Sequence, residues 1–404
     1  MYKGFIIRLI PTKSQLEYFW KASNAARFIY NWSLSERKRL YEEENISETG
    51  YGMCKRLTQL KKQPEYSWLN EVHNKVLKKS VLDCDEAFKR MFNKQSRYPK
   101  YHSRKRTTPS FYIESDITEQ LVVVNGEVET EYIQKIKFSR TNTVKLSGIG
   151  EVKLCKSAIE YGFWYLTEHH IPIYNCRVKF DGKYWNLCFS VELPNIKCQL
   201  TDEIIGIDLG IKNTVICSTG EVYGNINKTN KNIKLLEKRK KRYQRRISRK
   251  YESNKQGKKF KKTKNIIKLE NKTRQIDRKL SNIRKTYNHQ VSRAIVKRKP
   301  KTIVMETLNL KGMMRNKHLS KSIQQQNLYQ LKQFIKYKAE NQGTQFIGAP
   351  KNYKSTQLCS SCGSLHKISL STRVYKCPLC NLVIDRDLNS AYNLRNYGQN
   401  LLEA

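Results

Sequence analysis

The spacing of apolar residues changes along the chain and divides it into regions. Residues 1–10 alternate and carry β-branched side chains, which predicts a strand that ends at Pro11. From 13 to 104 apolar residues recur every three or four positions, which predicts helices, a strong one running from about Glu71 to Phe92. Residues 105–198 change to short alternating segments separated by Gly and Asn, a pattern typical of a small β-barrel or sandwich.

From Ile204 onward, strand-like and helix-like segments alternate, which indicates an α/β region. Its first strand is apolar except for Asp208, and a second apolar run, 301–308, contains one acid, Glu306. A carboxylate in a buried strand is costly unless it is paired or binds a metal ion. Asp387 follows at the start of a predicted helix.

A basic segment interrupts this region. Between Lys228 and Pro300 there are 29 Lys or Arg residues and only four Asp or Glu. Apolar residues recur there mostly at spacings of three, four or seven, and 253–257 is a turn-forming sequence, so we predict a helical hairpin. A solvated helix pair usually mixes charges of both signs, whereas the nearly pure positive sign favours phosphate binding.

The charge of the whole chain indicates the same kind of partner. The 404 residues carry 78 Lys+Arg against 35 Asp+Glu, a net charge of +43. Such a charge opposes compaction, so it indicates a polyanionic partner, a nucleic acid rather than a membrane surface. The length predicts two or three domains, and neither a signal peptide nor a membrane-spanning run is expected.

Each of the three acids has a structural alternative. Asp208 could close a turn with Gly210, Glu306 could pair with a lysine, and Asp385 or Asp387 could cap a helix. Three separated acids at one sheet edge could instead hold two Mg²⁺ or Mn²⁺ ions for phosphodiester hydrolysis.

Four cysteines have the spacing of a zinc site. Cys359 and Cys362 form one C-x2-C pair, and Cys377 and Cys380 form a second. Two such pairs supply four thiolates to one tetrahedral ion and leave no open position, which predicts a structural Zn²⁺ site. A redox C-x2-C motif is the alternative, and it is disfavoured because two pairs occur together. The other seven cysteines show no pairing pattern and are expected to be buried free thiols.

Aromatic and basic residues are interleaved between 87 and 111, a pattern that suits base stacking combined with phosphate contact, although an exposed loop is the plainer alternative. Candidate nucleic-acid contacts in this segment are Arg97, Tyr98, Lys100, Tyr101, Arg104 and Lys105. Those on the hairpin are Arg245, Arg246, Lys258, Lys259, Lys261 and Lys262.

Taken together, these motifs resemble the TnpB family, transposon-encoded RNA-guided RuvC endonucleases related to the type V CRISPR effectors. RLIPTKSQ (8–15) and ARFIYNW (26–32) are similar to the family's opening. GIDLGIKN (206–213), METLNLKGM (305–313) and the cysteine pairs followed by DRDLNSAYNL (385–394) resemble its split nuclease motifs and zinc ribbon. Thr307 and Asn381 depart from the usual pattern without removing a ligand.

The resemblance implies a multidomain α+β and α/β fold. A β-barrel would comprise 1–12 and 105–200, and a helical recognition domain would comprise 13–104. An RNase H-like RuvC domain would span 201–404, with the basic hairpin at 228–300 and the zinc ribbon at 352–384 inserted in it. By the same resemblance Asp208, Glu306 and Asp387 would form the metal-binding triad, with Asp387 preferred over Asp385.

The implied activity is RNA-guided, Mg²⁺-dependent cleavage of double-stranded DNA beside a short transposon-adjacent motif. The guide RNA would come from the transposon end, and Lys75, Lys78, Lys79 and Ser80 are candidates for contacting the motif duplex. We expect a cytoplasmic monomer with RNA, associated with the bacterial nucleoid. The alternatives are a repressor that binds DNA without cutting it and an RNA-independent transposase or resolvase.

Overall fold

The structure is a computed structural model that describes residues 2–104, 107–124, 127–193, 198–257, 259–369 and 372–403. The chain divides into two compact units, Met1–Pro194 and Asn195–Ala404. Among the described residues, no helix combines the length and the apolar character needed to cross a membrane. The seven described cysteines outside the C-x2-C pairs form no disulfide bond. The expected burial is correct for Cys84, Cys176 and Cys217 and wrong for the other four, which are half-buried.

The first unit begins with a strand and continues with three long helices. The strand is β1 (Tyr2–Ile10), and the helices are α1 (Lys13–Glu44), α2 (Gly50–Leu60) and α3 (Asn74–Phe92). Thr12 and Gln15 begin α1 with a reciprocal capping box, because each side chain accepts a hydrogen bond from the other's backbone N–H. α3 begins three residues later than the sequence predicted, since residues 64–71 form a 3₁₀ helix.

The same unit contains a seven-stranded antiparallel sheet and a separate hairpin. Its remaining elements are β2 (Ser110–Tyr112), β3 (Thr118–Val124), β4 (Glu127–Ile133), β5 (Lys137–Phe138), β6 (Thr143–Leu146), β7 (Gly150–Leu154), α4 (Trp164–Glu168), β8 (Ile173–Phe180) and β9 (Trp185–Glu192). The sheet order is β2-β8-β9-β1-β7-β6-β5, and β3 pairs with β4 alone. Helices and sheet share one hydrophobic core that includes Phe19, Leu77 and Phe111.

The second unit is built on a mixed five-stranded sheet. Its strands are β10 (Thr201–Asp208), β11 (Asn213–Cys217), β12 (Val222–Gly224), β15 (Pro300–Met305) and β16 (Gln345–Gly348), and the order is β12-β11-β10-β15-β16. β10, β15 and β16 are parallel to one another, while β11 and β12 are antiparallel to their neighbours. Short hairpins are formed by β13 (Lys255–Gln256) with β14 (Lys259–Phe260) and by β17 (Val374–Lys376) with β18 (Val383–Asp385).

The described helices of this unit are α5 (Ile226–Thr229), α6 (Lys231–Ser253), α7 (Lys264–Lys297), α8 (Leu310–Met313), α9 (Lys317–Gln326), α10 (Leu328–Glu340) and α11 (Arg386–Glu403). Helices α7, α10 and α11 pack on the sheet. Val291 and Ile295 of α7 and Leu331 of α10 pack in one core with the apolar residues of β10 and β15. A second core joins Leu394 of α11 to Val304.

The helices α6 and α7 form the predicted hairpin, here called the basic hairpin (228–300). Ile233, Ile276 and Leu280 form its buried seam. Three of its four acids are paired with a basic residue of the same hairpin: Glu237 with Arg284 at 2.9 Å, Asp277 with Lys240 at 2.6 Å and Glu270 with Lys262 at 2.6 Å. Three acids are therefore neutralised within the hairpin, and most of its basic residues keep an uncompensated positive charge.

Candidate active site

Two of the three acids lie at the same edge of the mixed sheet. Asp208 is the last residue of β10, and Glu306 directly follows β15. The two strands are parallel neighbours, with Ile207 paired to Met305. The carboxyl ends of adjacent parallel strands meet at one edge, so Asp208 and Glu306 are neighbours there.

α11 brings Asp387 to this edge because its backbone lies directly on β10. A Cβ atom added to Gly206 would lie 2.0 Å from Ala391 O and 2.5 Å from Arg395 N. Further along α11, a Cβ on Gly398 would lie 2.4 Å from a methyl carbon of Val304. Glycine at these two positions thus permits a helix–sheet distance that any side chain would prevent.

Asp208 is buried at the centre of the site. Ser390 Oγ donates a hydrogen bond to Asp208 Oδ1 at 3.0 Å, and the same hydroxyl contacts Ser355 Oγ at 2.9 Å. Burial and the negative charges of Glu306 and Asp387 raise the pKa of Asp208 to about 7, although the Ser390 hydrogen bond opposes the shift. Asp208 is therefore close enough to both Glu306 and Asp387 to be repelled by each of them.

Glu306 is accompanied by a cation from α10. Lys332 Nζ donates a hydrogen bond to the backbone oxygen of Glu306 at 3.1 Å. Burial raises the pKa of the Glu306 carboxyl, and the Lys332 charge lowers it. Burial also lowers the pKa of Lys332. A half-buried ammonium group thus stands beside the acid edge.

Asp385 and Asp387 have different environments despite their proximity in sequence. Asp385 Oδ1 accepts hydrogen bonds from the backbone N–H groups of Asp387 and Leu388, at 2.9 and 3.1 Å, so it caps α11. Asp387 instead contacts Arg386 at 3.0 Å and Arg373 at 3.3 Å. The capping alternative therefore applies to Asp385.

Sequence reasoning did not identify four residues that touch these acids: Ser390, Lys332, Arg373 and Arg386. Arg386 and Ser390 belong to the same DRDLNS segment as Asp387, so their closeness in sequence could have indicated them. Lys332 and Arg373 have no such signal, since each reaches its acid from a separate element.

Buried amide side chains join α11 to the first cysteine pair. Asn389 Nδ2 donates to Leu358 O at 2.7 Å, and Ser360 N donates to Asn389 Oδ1 at 3.0 Å. Asn393 Nδ2 donates to the backbone oxygens of Ser355 and Leu358, both at 2.7 Å. The helix that carries Asp387 is therefore fixed to the base of the cysteine cluster.

The four cysteines converge as their spacing predicted. The sulfur atoms of Cys359, Cys362, Cys377 and Cys380 all lie within 4.8 Å of one another. The Cys359–Cys380 sulfurs are 3.5 Å apart and the Cys362–Cys377 sulfurs 3.6 Å. A closed set of four thiols suits one tetrahedral Zn²⁺ ion.

The candidate contacts on α3 differ in exposure. Lys75 pairs with Glu114 at 2.8 Å and lines a cleft of about 1330 Å³. Lys78 is exposed, and Lys79 lies 3.8 Å from Asp83. Ser80 is buried and donates its hydroxyl to the helix backbone at 2.8 Å, so it is not available on the α3 surface for a DNA contact.

The remaining candidate contacts belong to exposed segments. The residues with exposed side chains are Arg97, Tyr98, Lys100, Tyr101, Arg104, Arg245, Arg246 and Lys261. Lys262 is paired with Glu270, and Lys259 lies on β14. Lys105 and Lys258 lie outside the described residues.

Comparison with known proteins relates the whole chain to one group. Three family models match: "Helix-turn-helix domain" of OrfB_IS605 at 1–45, "Probable transposase" of OrfB_IS605 at 188–317, and "Cas12f1-like, TNB domain" at 329–394. A relative from Streptomyces pristinaespiralis is 26% identical over 97% of this chain and 88% of its own length. InsQ of Escherichia coli (strain K12) is 25% identical over 99% and 93%. Both relatives are named as RNA-guided DNA endonucleases.

A solved structure has a related fold. The protein in the "Cryo-EM structure of the Cas12f1-sgRNA-target DNA complex" aligns with a TM-score of 0.59 at 15% identity, covering 98% of this chain and 99% of that one. The chain is thus a multidomain protein of mixed helices and sheets with a Cas12f-like fold and a four-cysteine cluster. Its matched segments are similar to those of OrfB_IS605 transposases, Cas12f1-like proteins and TnpB-like proteins.

Proposed function

We propose that this protein is an RNA-guided, Mg²⁺-dependent DNA endonuclease with a RuvC-type site formed by Asp208, Glu306 and Asp387. The observation that carries the proposal is the position of Asp208 beside both Glu306 and Asp387 at one sheet edge, where burial and the charges of those two acids raise the pKa of Asp208 to about 7. A structural role alone would favour fewer negative charges at this edge, whereas divalent cations relieve the repulsion.

The chemistry of the donor set fits Mg²⁺ or Mn²⁺. All three side chains offer hard oxygen ligands, which these ions prefer. When bound, a pair of such ions supplies Lewis-acid stabilisation of the attacking and leaving oxygens of a phosphodiester. Ser390 would keep Asp208 Oδ1 oriented through its 3.0 Å hydrogen bond, and Arg373 and Arg386 would hold Asp387 beside it.

The cysteine cluster would bind Zn²⁺ with a structural role, since four thiols leave no position for a substrate. Asn389 and Asn393 connect the cluster to α11 through hydrogen bonds of 2.7–3.0 Å. The bound zinc would therefore help to fix the helix that carries Asp387.

The positive surfaces would hold the nucleic acids. On the basic hairpin, Arg245, Arg246 and Lys261 are exposed, and contacts to phosphates would give affinity that depends strongly on salt. The exposed Tyr98 and Tyr101 suit stacking on unpaired bases. Base pairing with a guide RNA would then determine the target sequence.

The protein itself would recognise only a short transposon-adjacent motif in the DNA duplex. Lys75, Lys78 and Lys79 are the proposed contacts, because Lys75 lines the cleft and the neighbouring lysines lie on the same helix. The guide would be transcribed from the transposon end. We propose a monomer with its RNA, located in the cytoplasm and associated with the nucleoid.

Cleavage of a target plasmid tests the proposal. The protein, copurified with its RNA, should cut a matching plasmid in Mg²⁺, and Asp208→Ala should bind the plasmid without cutting it. Asp202→Ala is the matched control, since Asp202 is an exposed acid on the same strand. Equal, negligible cleavage by the wild type and Asp208→Ala would contradict the nuclease assignment.

Two further outcomes separate the alternatives. Specific DNA binding without cleavage by the wild type in Mg²⁺ or Mn²⁺ would indicate a repressor. Specific cleavage that survives removal of the RNA by RNase would indicate an RNA-independent transposase or resolvase. Sequencing of the copurified RNA would identify the guide directly.

A further inference from the structure

Lys332 is a charged residue at the acid edge that the three-carboxylate site does not explain. It lies on α10, whose neighbouring residues Leu331 and Ile335 are buried against the sheet. Its side chain reaches the end of β15, where Nζ donates to the Glu306 backbone oxygen at 3.1 Å. A Cβ atom added to Gly348, the last residue of β16, would lie 3.9 Å from the same nitrogen.

The ammonium group retains hydrogen-bonding capacity. In the part of the chain that the structure describes, Lys332 has one hydrogen bond, to Glu306 O, and no ion pair. An ammonium group has three N–H donors, so two remain available. Lys332 Nζ also lies 5.9 Å from the centre of the Phe346 ring, and the charge of the Glu306 carboxylate attracts it without forming an ion pair. Neither interaction provides an acceptor for the two remaining N–H groups, and an anionic oxygen at this edge would provide one.

The proposed nuclease function brings a phosphodiester to this edge, and the non-bridging oxygens of a phosphodiester are anionic acceptors. We propose that Lys332 binds a non-bridging oxygen of the DNA phosphodiester that enters the acid edge, and so acts as a further catalytic residue. A partly desolvated point charge interacts more strongly with developing negative charge than an exposed one does. The inference rests on the proposed nuclease function and adds a substrate contact to it.

A purely structural role for Lys332 makes a different prediction. If the ammonium only held the Glu306 backbone in place, its loss would weaken metal binding, and excess Mg²⁺ would restore the rate. If it contacts the substrate, the rate loss would persist at saturating Mg²⁺. Lys332→Met removes the charge and nearly preserves the length, whereas Lys332→Arg preserves the charge.

The matched control is Lys336→Met. Lys336 lies one turn further along α10, is exposed and pairs with Glu340 at 3.7 Å. Single-turnover cleavage by the RNA-loaded protein is measured over a range of Mg²⁺ concentrations, and target-DNA binding is measured separately without Mg²⁺. We expect Lys332→Met to cut on the order of 100-fold more slowly at saturating Mg²⁺. Lys332→Arg should recover part of the rate, and Lys336→Met should stay within about twofold of the wild type.

Three results would overturn the inference: wild-type cleavage by Lys332→Met, recovery of its rate in excess Mg²⁺, or an equal loss in Lys336→Met. If Lys332→Met lowers the melting temperature, Lys332→Gln replaces it, because the amide can still donate to Glu306 O. If the wild type cleaves and Asp208→Ala does not, the proposed function stands, regardless of the results with the Lys332 variants. Failure of the wild type to cut would instead refute the function itself.

Discussion

Replacing Gly206 by alanine would test whether the close approach of α11 builds the acid edge. The added Cβ would lie 2.0 Å from Ala391 O, whereas such contacts are essentially never shorter than 3.0 Å. The second clash, at 2.5 Å from Arg395 N, also involves the helix backbone, so no side-chain rotation relieves either one. The difference between 3.0 and 2.0 Å means that α11 must move by about 1 Å, and Asp387 must move with it.

The size of the effect follows from that displacement. Overpacking of this kind costs about 1–3 kcal/mol, and each kcal/mol lowers the melting temperature of a domain of roughly 200 residues by about 2–4 °C. A displacement of about 1 Å at a reaction centre costs about 100-fold in rate. We therefore expect Gly206→Ala to melt several degrees lower and to cleave about 100-fold more slowly.

Thermal melting of the protein and single-turnover cleavage by its RNA complex are the two assays. Gly224→Ala is the control, because a Cβ at Gly224 of the same unit would enter open space. Wild-type stability and rate in Gly206→Ala, or an equal loss of both in Gly224→Ala, would contradict this expectation.

Further substitutions probe the acids, the cysteines and the hairpin. Asp387→Ala should abolish cleavage, whereas Asp385→Ala should retain it and lose about 1 kcal/mol of unfolding free energy with its helix cap; equal cleavage losses would contradict this distinction. Because the pKa of Asp208 is raised from 3.8 to about 7, the folded protein keeps a proton that the unfolded chain releases. Without Mg²⁺, the free energy of unfolding should therefore decrease as the pH rises from about 4 to about 7, by up to about 1.4 kcal/mol per pH unit. Asp208→Asn should flatten this pH dependence, as measured by urea unfolding. Cys380→Ser should lose the bound zinc in elemental analysis; full retention would contradict the four-thiol site. Lys261→Ala should reduce the salt slope of nucleic-acid binding by about 1, and an unchanged slope would make this side chain a solvated one.

The positions of Asp208 and Glu306 were predictable because each is the single acid in or directly after an apolar run. The parallel pairing of β10 with β15 places the two residues together. Their roles remain proposals. The cysteine cluster was also predictable, because each C-x2-C pair is a short motif that can be recognised directly in the sequence.

Long-range contacts were not predictable in the same way. Ser390 reaches Asp208 across 182 residues, and nothing in the sequence shows that the face of α11 that carries Ser390 lies against β10. α4 was also missed within the β-rich region, because a five-residue helix is too short to show helical periodicity. The first residues of α3 were misassigned because the apolar pattern continues through the 3₁₀ turn before it.

Asp208 and α11 are far apart in sequence, and a ribosome synthesises the chain from its N-terminus, so the two are made at different times. β10, the basic hairpin and β15 are all synthesised before Asp387 and Ser390 exist. A growing chain therefore acquires its proposed nucleic-acid surfaces first, and the proposed cutting site is completed only when α11 docks beside Gly206. In this order of assembly, an unfinished chain could hold RNA but could not cleave the DNA from which it is being expressed.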